Sequence, residues 1–311
     1  MAVVIAPALS ANILFALAAA ASWGGGDFSG GMGVKAAGGS TAGALRVVVV
    51  AHALSLAVLL GILMVERASL PRGAPLVWGL VAGVTAGISL TAFYIALARG
   101  AMGGSAALSG LLAAAIPAAV SSVLEGVPGL LRIAGFALAL GAIWLIAAGP
   151  SPESGHAIDG SEPSESSRAT LVLALIGGVG FGIYFVALRL ANPLGDMEPV
   201  ALARAASLVT CALLLVVVTV RSKRAAVAEP ATKLTRMALV WALGVALLDT
   251  GGNLLYIAAT RTGRLDIAAV LASLYPAGTI LLAAWHLRER PTRRQLMGMA
   301  IAAAAVVMIT I

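Results

Sequence analysis

Residues 149–168 read GPSPESGHAIDGSEPSESSR, a long polar stretch in an otherwise apolar chain. The stretch is rich in Ser, Pro, Gly and Glu, so it cannot bury enough apolar surface to form a packed core. We interpret residues 150–168 as a flexible linker. It separates residues 1–149 from residues 169–311, and each of these halves is a series of apolar runs joined by short connectors.

The composition places both halves in a membrane. Of the 311 residues, 60% are hydrophobic and 11% are charged, whereas a soluble domain carries about 25% charged residues. A helix needs about 20 apolar residues to cross the hydrocarbon layer. Backbone polar groups find no partner in lipid, so runs of this length are expected to be helices. We predict an all-α membrane protein with spans at 11–33, 43–65, 75–98, 103–123, 130–149, 169–190, 199–220, 237–259, 266–287 and 294–311.

The two halves repeat each other. Their shared motifs keep the same order at an offset of roughly 160 residues: Trp23-Gly24 with Phe181-Gly182, Leu76-Val77-Trp78 with Leu239-Val240-Trp241, Tyr94-Ile95-Ala96 with Tyr256-Ile257-Ala258, and Glu125 with Glu289. An odd number of spans per half reverses the second copy, which predicts ten spans arranged as two inverted five-helix repeats. Inverted repeats recur in transporters, with the substrate site near the midplane between them.

The distribution of charge and the single cysteine exclude several classes of function. The net charge of +7 does not indicate nucleic acid, because the basic residues lie at the ends of apolar runs, as in membrane proteins. No basic region precedes the first apolar run, which we therefore expect to be a span and not a cleaved signal. The single cysteine, Cys211, cannot form an internal disulfide and is expected to be a packing residue. We expect no cofactor and no metal site.

Acidic residues inside the spans are the first candidates for a site, because ionisable groups in hydrocarbon are costly and tend to mark pathways. Asp27 lies in the glycine-rich run of the first span, four residues after Trp23 and so on the same helical face. The glycines allow a partner helix or a ligand to approach the backbone. The alternative is that Asp27 pairs with an arginine or caps a broken helix.

A second polar face runs along the eighth span. Asp249, Gly252, Asn253 and Tyr256 stand at i, i+3, i+4 and i+7, a spacing that places them on one side of a helix. An unpaired Asp249 carboxylate could bind a substrate amine or exchange a proton, as coupling requires. The alternative is a structural partner for the carboxylate.

Aromatic residues are expected to wall the pocket. Tyr94 in the third span is the repeat partner of Tyr256, and Phe181, Tyr184 and Tyr275 are further candidates. Aromatic packing with a bonded hydroxyl is the alternative for each tyrosine.

Three other features have a more ordinary explanation. Gly79, Gly83 and Gly87 recur every four residues and predict a tight helix–helix seam. His52 is expected to be packed and hydrogen-bonded, although it could relay protons. Arg204 is expected to extend to the interface, with neutralisation of a substrate carboxylate as the alternative.

Nothing in the sequence indicates an enzyme. The glycine run at 177–182 follows no strand and lacks the dinucleotide-binding spacing, so we interpret it as helix packing. HExxH, P-loop and GxSxG motifs are absent from the sequence.

The arrangement resembles the drug/metabolite transporter superfamily, in its ten-helix EamA-type branch. The residues that carry the resemblance are Ala272-Ser273-Leu274-Tyr275-Pro276 followed by Glu289 and Gly298, the stretch 125–149, and the Trp23-Gly24 turn. One departure concerns the prolines: Pro117 lies eight residues before Glu125, whereas Pro276 lies thirteen before Glu289. Span four is therefore expected to bend at a different level from span nine.

The resemblance implies a bacterial inner-membrane protein that moves small metabolites, amino acids or drugs, often outward and coupled to an ion gradient. We predict a monomeric exporter in which Asp27 and Asp249 serve coupling or amine recognition, with a proton as the candidate coupling ion. Trp23, Tyr94, Tyr184, Asn253, Tyr256 and Tyr275 would shape the pocket. The alternative function is a membrane binding, sensory or lipid-handling protein without a transport cycle.

Overall fold

The computed structural model describes residues 10–67, 72–98, 102–147, 165–224, 234–288 and 291–310. All regular secondary structure within these ranges is helical. The first half contains five α-helices: α1 (Ala11–Ala36), α2 (Thr41–Val65), α3 (Ala74–Ala98), α4 (Met102–Leu124) and α5 (Leu130–Ala147). The second half contains α6 (Glu165–Ala191), α7 (Glu198–Arg224), α8 (Arg236–Thr262), α9 (Leu265–Ala272), α10 (Tyr275–His286) and α11 (Arg293–Thr310). A short 3-10 turn at Asn192–Leu194 follows α6.

The predicted spans correspond to these helices, with one break. The ninth predicted span, 266–287, forms two helices that are separated at Ser273 and Leu274. Pro276 causes the break, because it has no N–H and its ring clashes with the carbonyl of the residue four positions earlier. In contrast, α4 continues through Pro117. The predicted bend of span four at a different level from span nine therefore stays a prediction.

Six helical segments are long and apolar enough to cross a membrane, judged by length and composition over the described residues. They lie at Thr41–Val65, Ala74–Ala96, Ala169–Leu194, Glu198–Ser222, Arg236–Thr262 and Leu265–His286, with shorter apolar helices at Ser109–Leu124 and Leu130–Ile146. Helix α1 is long but is not among the six. Its glycines, together with Asn12 and Asp27, lower its hydropathy, and these residues face the protein interior.

Helices of one half pack on helices of the other. Helix α1 packs along α8, α3 packs along α6, and α5 packs along α11. Helix α4 also packs on α6, and α1 packs on α9 and α10. Large apolar side chains such as Val58, Leu213 and Leu247 cover the outer faces and are exposed. An apolar outer surface suits a chain whose solvent is lipid.

Glycines form the seams between these helices. A Cβ added at Gly83 would overlap the backbone of Ala203 in α7, and one at Gly87 would lie 2.9 Å from the Ser207 hydroxyl. The predicted seam of α3 is therefore confirmed, with α7 as its partner. The glycine run in α6 is also a packing surface, because a Cβ at Gly178 would lie 2.8 Å from the Ser109 backbone in α4.

The predicted linker at 150–168 lies almost wholly outside the described residues. Glu289 also lies outside them. The division into residues 1–149 and 169–311 stays a prediction.

Candidate functional site

Helix α1 lies at the centre of the bundle, and its glycines determine how close its neighbours come. A Cβ at Gly24 would be 2.7 Å from the Tyr275 carbonyl oxygen, and one at Gly30 would overlap the phenol ring of Tyr94. A Cβ at Gly26 would be 3.4 Å from the backbone nitrogen of Asp249. The glycine run thus brings three other helices into contact with α1 around Asp27.

An aromatic stack joins the two halves beside this run. The indole N–H of Trp23 donates to Oδ1 of Asn253 at 3.0 Å. The Trp23 ring stacks on Phe185 with centroids 4.9 Å apart, and Phe185 packs on Tyr256 at 4.8 Å. Trp23 comes from α1, Phe185 from α6, and Asn253 and Tyr256 from α8. Position 252 has to be glycine, because a Cβ there would lie 2.5 Å from the indole of Trp23.

The carboxylate of Asp249 is paired. The Arg204 guanidinium donates from Nη2 to Oδ2 of Asp249 at 2.5 Å. Its other nitrogens reach the Nε2 atom of His52 at 2.9 Å and the Ser55 hydroxyl at 3.2 Å. Nε2 of His52 accepts from the guanidinium, so its Nδ1 carries the proton and donates to the Ser207 hydroxyl at 2.8 Å. The pair ties together α2, α7 and α8.

These contacts correct two expectations. The expectation that the Asp249 carboxylate is unpaired is wrong, since Arg204 neutralises it. The structure has the alternative, a structural partner. The extension of Arg204 to the interface is also wrong, because this residue is only 2% exposed. His52 is packed and hydrogen-bonded, as predicted. The pairing could not be predicted from spacing within one helix, because the partners are 45 residues apart and on different spans.

Asp27 has a different environment from Asp249. It is 9% exposed, and no hydrogen bond or ion pair reaches it from the part of the chain that the structure describes. Gly31, four residues later on the same face of α1, is buried, yet a Cβ added there would meet nothing within 4 Å. The face of α1 that carries Asp27 therefore borders open space inside the protein.

Among the described residues, five of the seven buried polar atoms without a hydrogen-bond partner lie on residues of the candidate site or on Ser273. They are the hydroxyls of Tyr94, Tyr184 and Tyr275, Nδ2 of Asn253 and the hydroxyl of Ser273. Tyr184 lies beside the Asn253 amide but without hydrogen-bond geometry. The Tyr94 hydroxyl lies against Gly30, three residues after Asp27, and the Tyr275 carbonyl lies against Gly24, three residues before it. Buried polar groups are normally bonded, so these unpaired atoms are exceptions within the core.

The structure buries seven of the eight predicted site residues, in two groups, and leaves the side chain of Asp249 17% exposed. Trp23, Asn253, Tyr256 and Tyr184 belong to the aromatic group, and Asp27, Tyr94 and Tyr275 surround the open side of α1. Asp249 lies between α1 and the Arg204 network. Sequence reasoning did not find Ser55, Ser207 or Thr250, since single hydroxyl residues in a span carry no distinctive pattern.

A polar network closes one end of the bundle, which we call the Glu125 end. The Glu125 carboxylate accepts from the backbone N–H of Leu265 at 3.0 Å. Arg264 donates to the carbonyl oxygens of Glu125 and Gly126 at 3.0 and 2.7 Å. Arg264 also bonds the fully buried Asp266, 2.8 Å away. Glu125 and Gly126 belong to the first half, and Arg264, Leu265 and Asp266 belong to the second.

Among the described residues, no group of three or more His, Cys, Asp or Glu side chains could hold a metal ion.

Residues 168–311 match the sequence profile of the EamA-like transporter family. No curated protein sequence matches the chain. Among solved structures, one crystal structure of a protein with 16% sequence identity aligns over 98% of this chain and 99% of its own, with a TM-score of 0.69. At this identity the likeness shows a shared fold. The profile match supports the resemblance to the EamA-type branch of the drug/metabolite transporter superfamily over residues 168–311.

Proposed function

We propose that the whole chain is a secondary transporter, because residues 168–311 match the sequence profile of the EamA-like transporter family. It is a multi-pass membrane protein by its family and its apolar helices. Its proposed cargo is a small metabolite or drug, its proposed direction is outward, and its proposed location is the bacterial inner membrane.

The helix packing supports two inverted repeats. If α1 to α5 correspond in order to α6, α7, α8, the α9–α10 pair and α11, the pairing of α1 with α8 becomes the pairing of α6 with α3. Likewise, the contact of α4 with α6 becomes that of α9 and α10 with α1. The contacts α5–α11 and α2–α7 map onto themselves. This exchange is the pattern that a pseudo-twofold axis between residues 1–149 and 169–311 produces.

The observation that carries the proposal is the state of Asp27. Its carboxylate is buried and finds no partner among the described residues, and it lies next to open space at Gly31 and between helices of the two halves. Charged groups inside a membrane normally pair or line a pathway. A cargo site at this position would be exposed to either side of the membrane when the two halves rock against each other.

The Glu125 end supports a gate for such a cycle. Arg264 and Leu265 of the second half bond Glu125 and Gly126 of the first half. The Trp23–Phe185–Tyr256 stack lies between this end and Asp27. Opening on this side requires both layers to separate. The described structure therefore suits a state that is closed at the Glu125 end.

A proton is the proposed coupling ion, and Asp27 is the residue that would hold it. Asp249 is less suited to this role, because its carboxylate is already bonded to Arg204. Two fused repeats supply both sides of the pocket, so a monomer is the proposed working unit.

Solute counterflow in proteoliposomes tests the proposal. Vesicles with the purified protein are loaded with one unlabelled compound from a panel of amino acids, purines and organic amines, and uptake of the labelled compound is followed. Saturable accumulation of one class is expected. No accumulation of any compound by folded protein would contradict transport and favour a binding, sensory or lipid-handling role.

A further inference from the structure

The interior carries one unneutralised acid among the buried carboxylates that the structure describes. Asp249 is bonded to Arg204, and Asp266 is bonded to Arg264. Among the described residues, no cation lies near enough to pair with Asp27. An uncompensated charge in a low-dielectric interior is costly. A positively charged ligand at Asp27 would remove that cost.

Two tyrosines approach Asp27 from opposite sides along α1. The Tyr94 hydroxyl lies against Gly30, nearly one helical turn after Asp27, and the Tyr275 backbone lies against Gly24, one turn before it. Both tyrosine side chains are almost fully buried, and neither hydroxyl has a partner. Each hydroxyl has free lone pairs and can therefore accept a hydrogen bond from a ligand.

The open space is on the same face. Gly31 follows Asp27 by one turn and borders a volume that no neighbouring atom fills. Trp23 precedes Asp27 by one turn on this face, with its ring in the aromatic stack. The apolar part of a ligand would thus lie along α1 between aromatic and small residues.

We infer that Asp27, Tyr94 and Tyr275 form a binding site for a primary ammonium group, so that the cargo is an organic amine. A primary ammonium has three N–H donors, and the carboxylate and the two phenol oxygens are three acceptors. A hydrogen bond between such charged groups is about twice as strong as one between neutral groups. This inference names the cargo of the proposed transporter and rests on that function for its role in transport.

The same geometry disfavours an amino acid. A zwitterion brings a carboxylate that needs its own cation, and Arg204 is occupied by Asp249, His52 and Ser55. The site therefore selects amines over the corresponding amino acids.

Equilibrium binding to the purified full-length protein in detergent tests the site, with three probes that share a phenethyl skeleton. They are phenethylamine, phenylalanine and N,N,N-trimethylphenethylammonium. We expect saturable binding of phenethylamine. Phenylalanine adds a carboxylate, and the quaternary ion lacks every N–H donor, so each is expected to bind at least about tenfold more weakly.

Variants assign the residues. Asp27→Asn is nearly isosteric and is expected to weaken phenethylamine binding by about 30-fold or more. Tyr94→Phe and Tyr275→Phe are each expected to weaken it by about 3- to 10-fold. Neither phenylalanine variant should lower the melting temperature, because the lost hydroxyl bonds nothing in the protein. Asp196→Asn makes the same chemical change at an exposed acid, 74% exposed, and should leave binding unchanged.

Three results would overturn the site: no phenethylamine binding by folded protein, equal affinity for the primary and quaternary ions, or unchanged binding by Asp27→Asn. The proposed transport function fails separately. Counterflow of another solute without amine binding would refute the ammonium site alone, whereas amine binding without any counterflow would refute transport alone.

Discussion

Nη2 of Arg204 lies 2.5 Å from Oδ2 of Asp249, in an ion pair whose arginine side chain is 3% exposed. The pair joins α7 to α8 within the bundle, and Asp27 is the buried acid for which the described residues supply no cation. The two acids therefore have different proposed roles, although both lie on polar helix faces in the sequence.

The ion pair is expected to be structural. Arg204→Met leaves Asp249 unpaired and should destabilise the protein by about 3–5 kcal/mol, whereas the double variant Arg204→Met/Asp249→Leu should recover most of that loss. Thermal unfolding in detergent measures both. The exposed pair of Arg261 and Asp196 is the matched control, and its loss should cost at most about 1 kcal/mol. Equal losses at the two pairs would contradict this role.

Neighbouring glycines of α1 should respond differently to a side chain. Gly30→Ala places a methyl group in the Tyr94 ring and should cost about 1–3 kcal/mol. Gly31→Ala faces open space and should leave the melting temperature unchanged or higher. Gly31→Leu should also fold, but it should abolish counterflow by filling that space. A Gly31→Leu variant that transports normally would show that the space is not part of the pathway.

The Trp23 indole N–H should contribute separately from its ring. Trp23→Phe retains an aromatic ring against Phe185 but removes the donor to Asn253. Leaving the buried Asn253 amide without a partner should cost about 1–3 kcal/mol. Trp23→Ala also removes the stacking and should cost about 3–5 kcal/mol. Thermal unfolding separates the contribution of the hydrogen bond from that of the stacked ring. An identical loss of stability in both variants would show that the hydrogen bond is the only contribution.

The Glu125 end should open when Arg264 is changed. Arg264→Gln shortens the side chain that reaches the carbonyls of Glu125 and Gly126, and it leaves the buried Asp266 unpaired. A reporter cysteine at Ala259, which is buried near this end, can be placed in a Cys211→Ala background. Its modification by a maleimide should be faster with Arg264→Gln than without it. An unchanged rate would mean that Arg264 does not hold this end closed.

The sequence predicted the helices well, because hydrophobic length and Gly or Pro punctuation are local properties. It also predicted the α3 seam from the spacing of Gly79, Gly83 and Gly87, since every fourth residue faces the same neighbour. The sequence did not predict that span nine breaks at Ser273, although Pro276 causes the break. Whether a proline kinks or divides a helix depends on which neighbours satisfy the freed backbone groups.

The sequence predicted residues of the candidate site, but it did not predict which side chains pair. The polar faces containing Asp27 and Asp249 follow from helical periodicity, but periodicity cannot assign a partner on another helix. Arg204 reaches Asp249 only because α2, α7 and α8 meet around it. For that reason the sequence alone could not tell which acid stays available.

The most direct test of the central claim is counterflow of a labelled primary amine, compared between wild-type protein, Asp27→Asn and the exposed-site control Asp196→Asn. We predict saturable amine exchange by the wild type and by Asp196→Asn, and its loss in Asp27→Asn with an unchanged melting temperature. Amine exchange by Asp27→Asn at the wild-type rate would contradict the account, because the unpaired acid would then have no part in carrying the cargo.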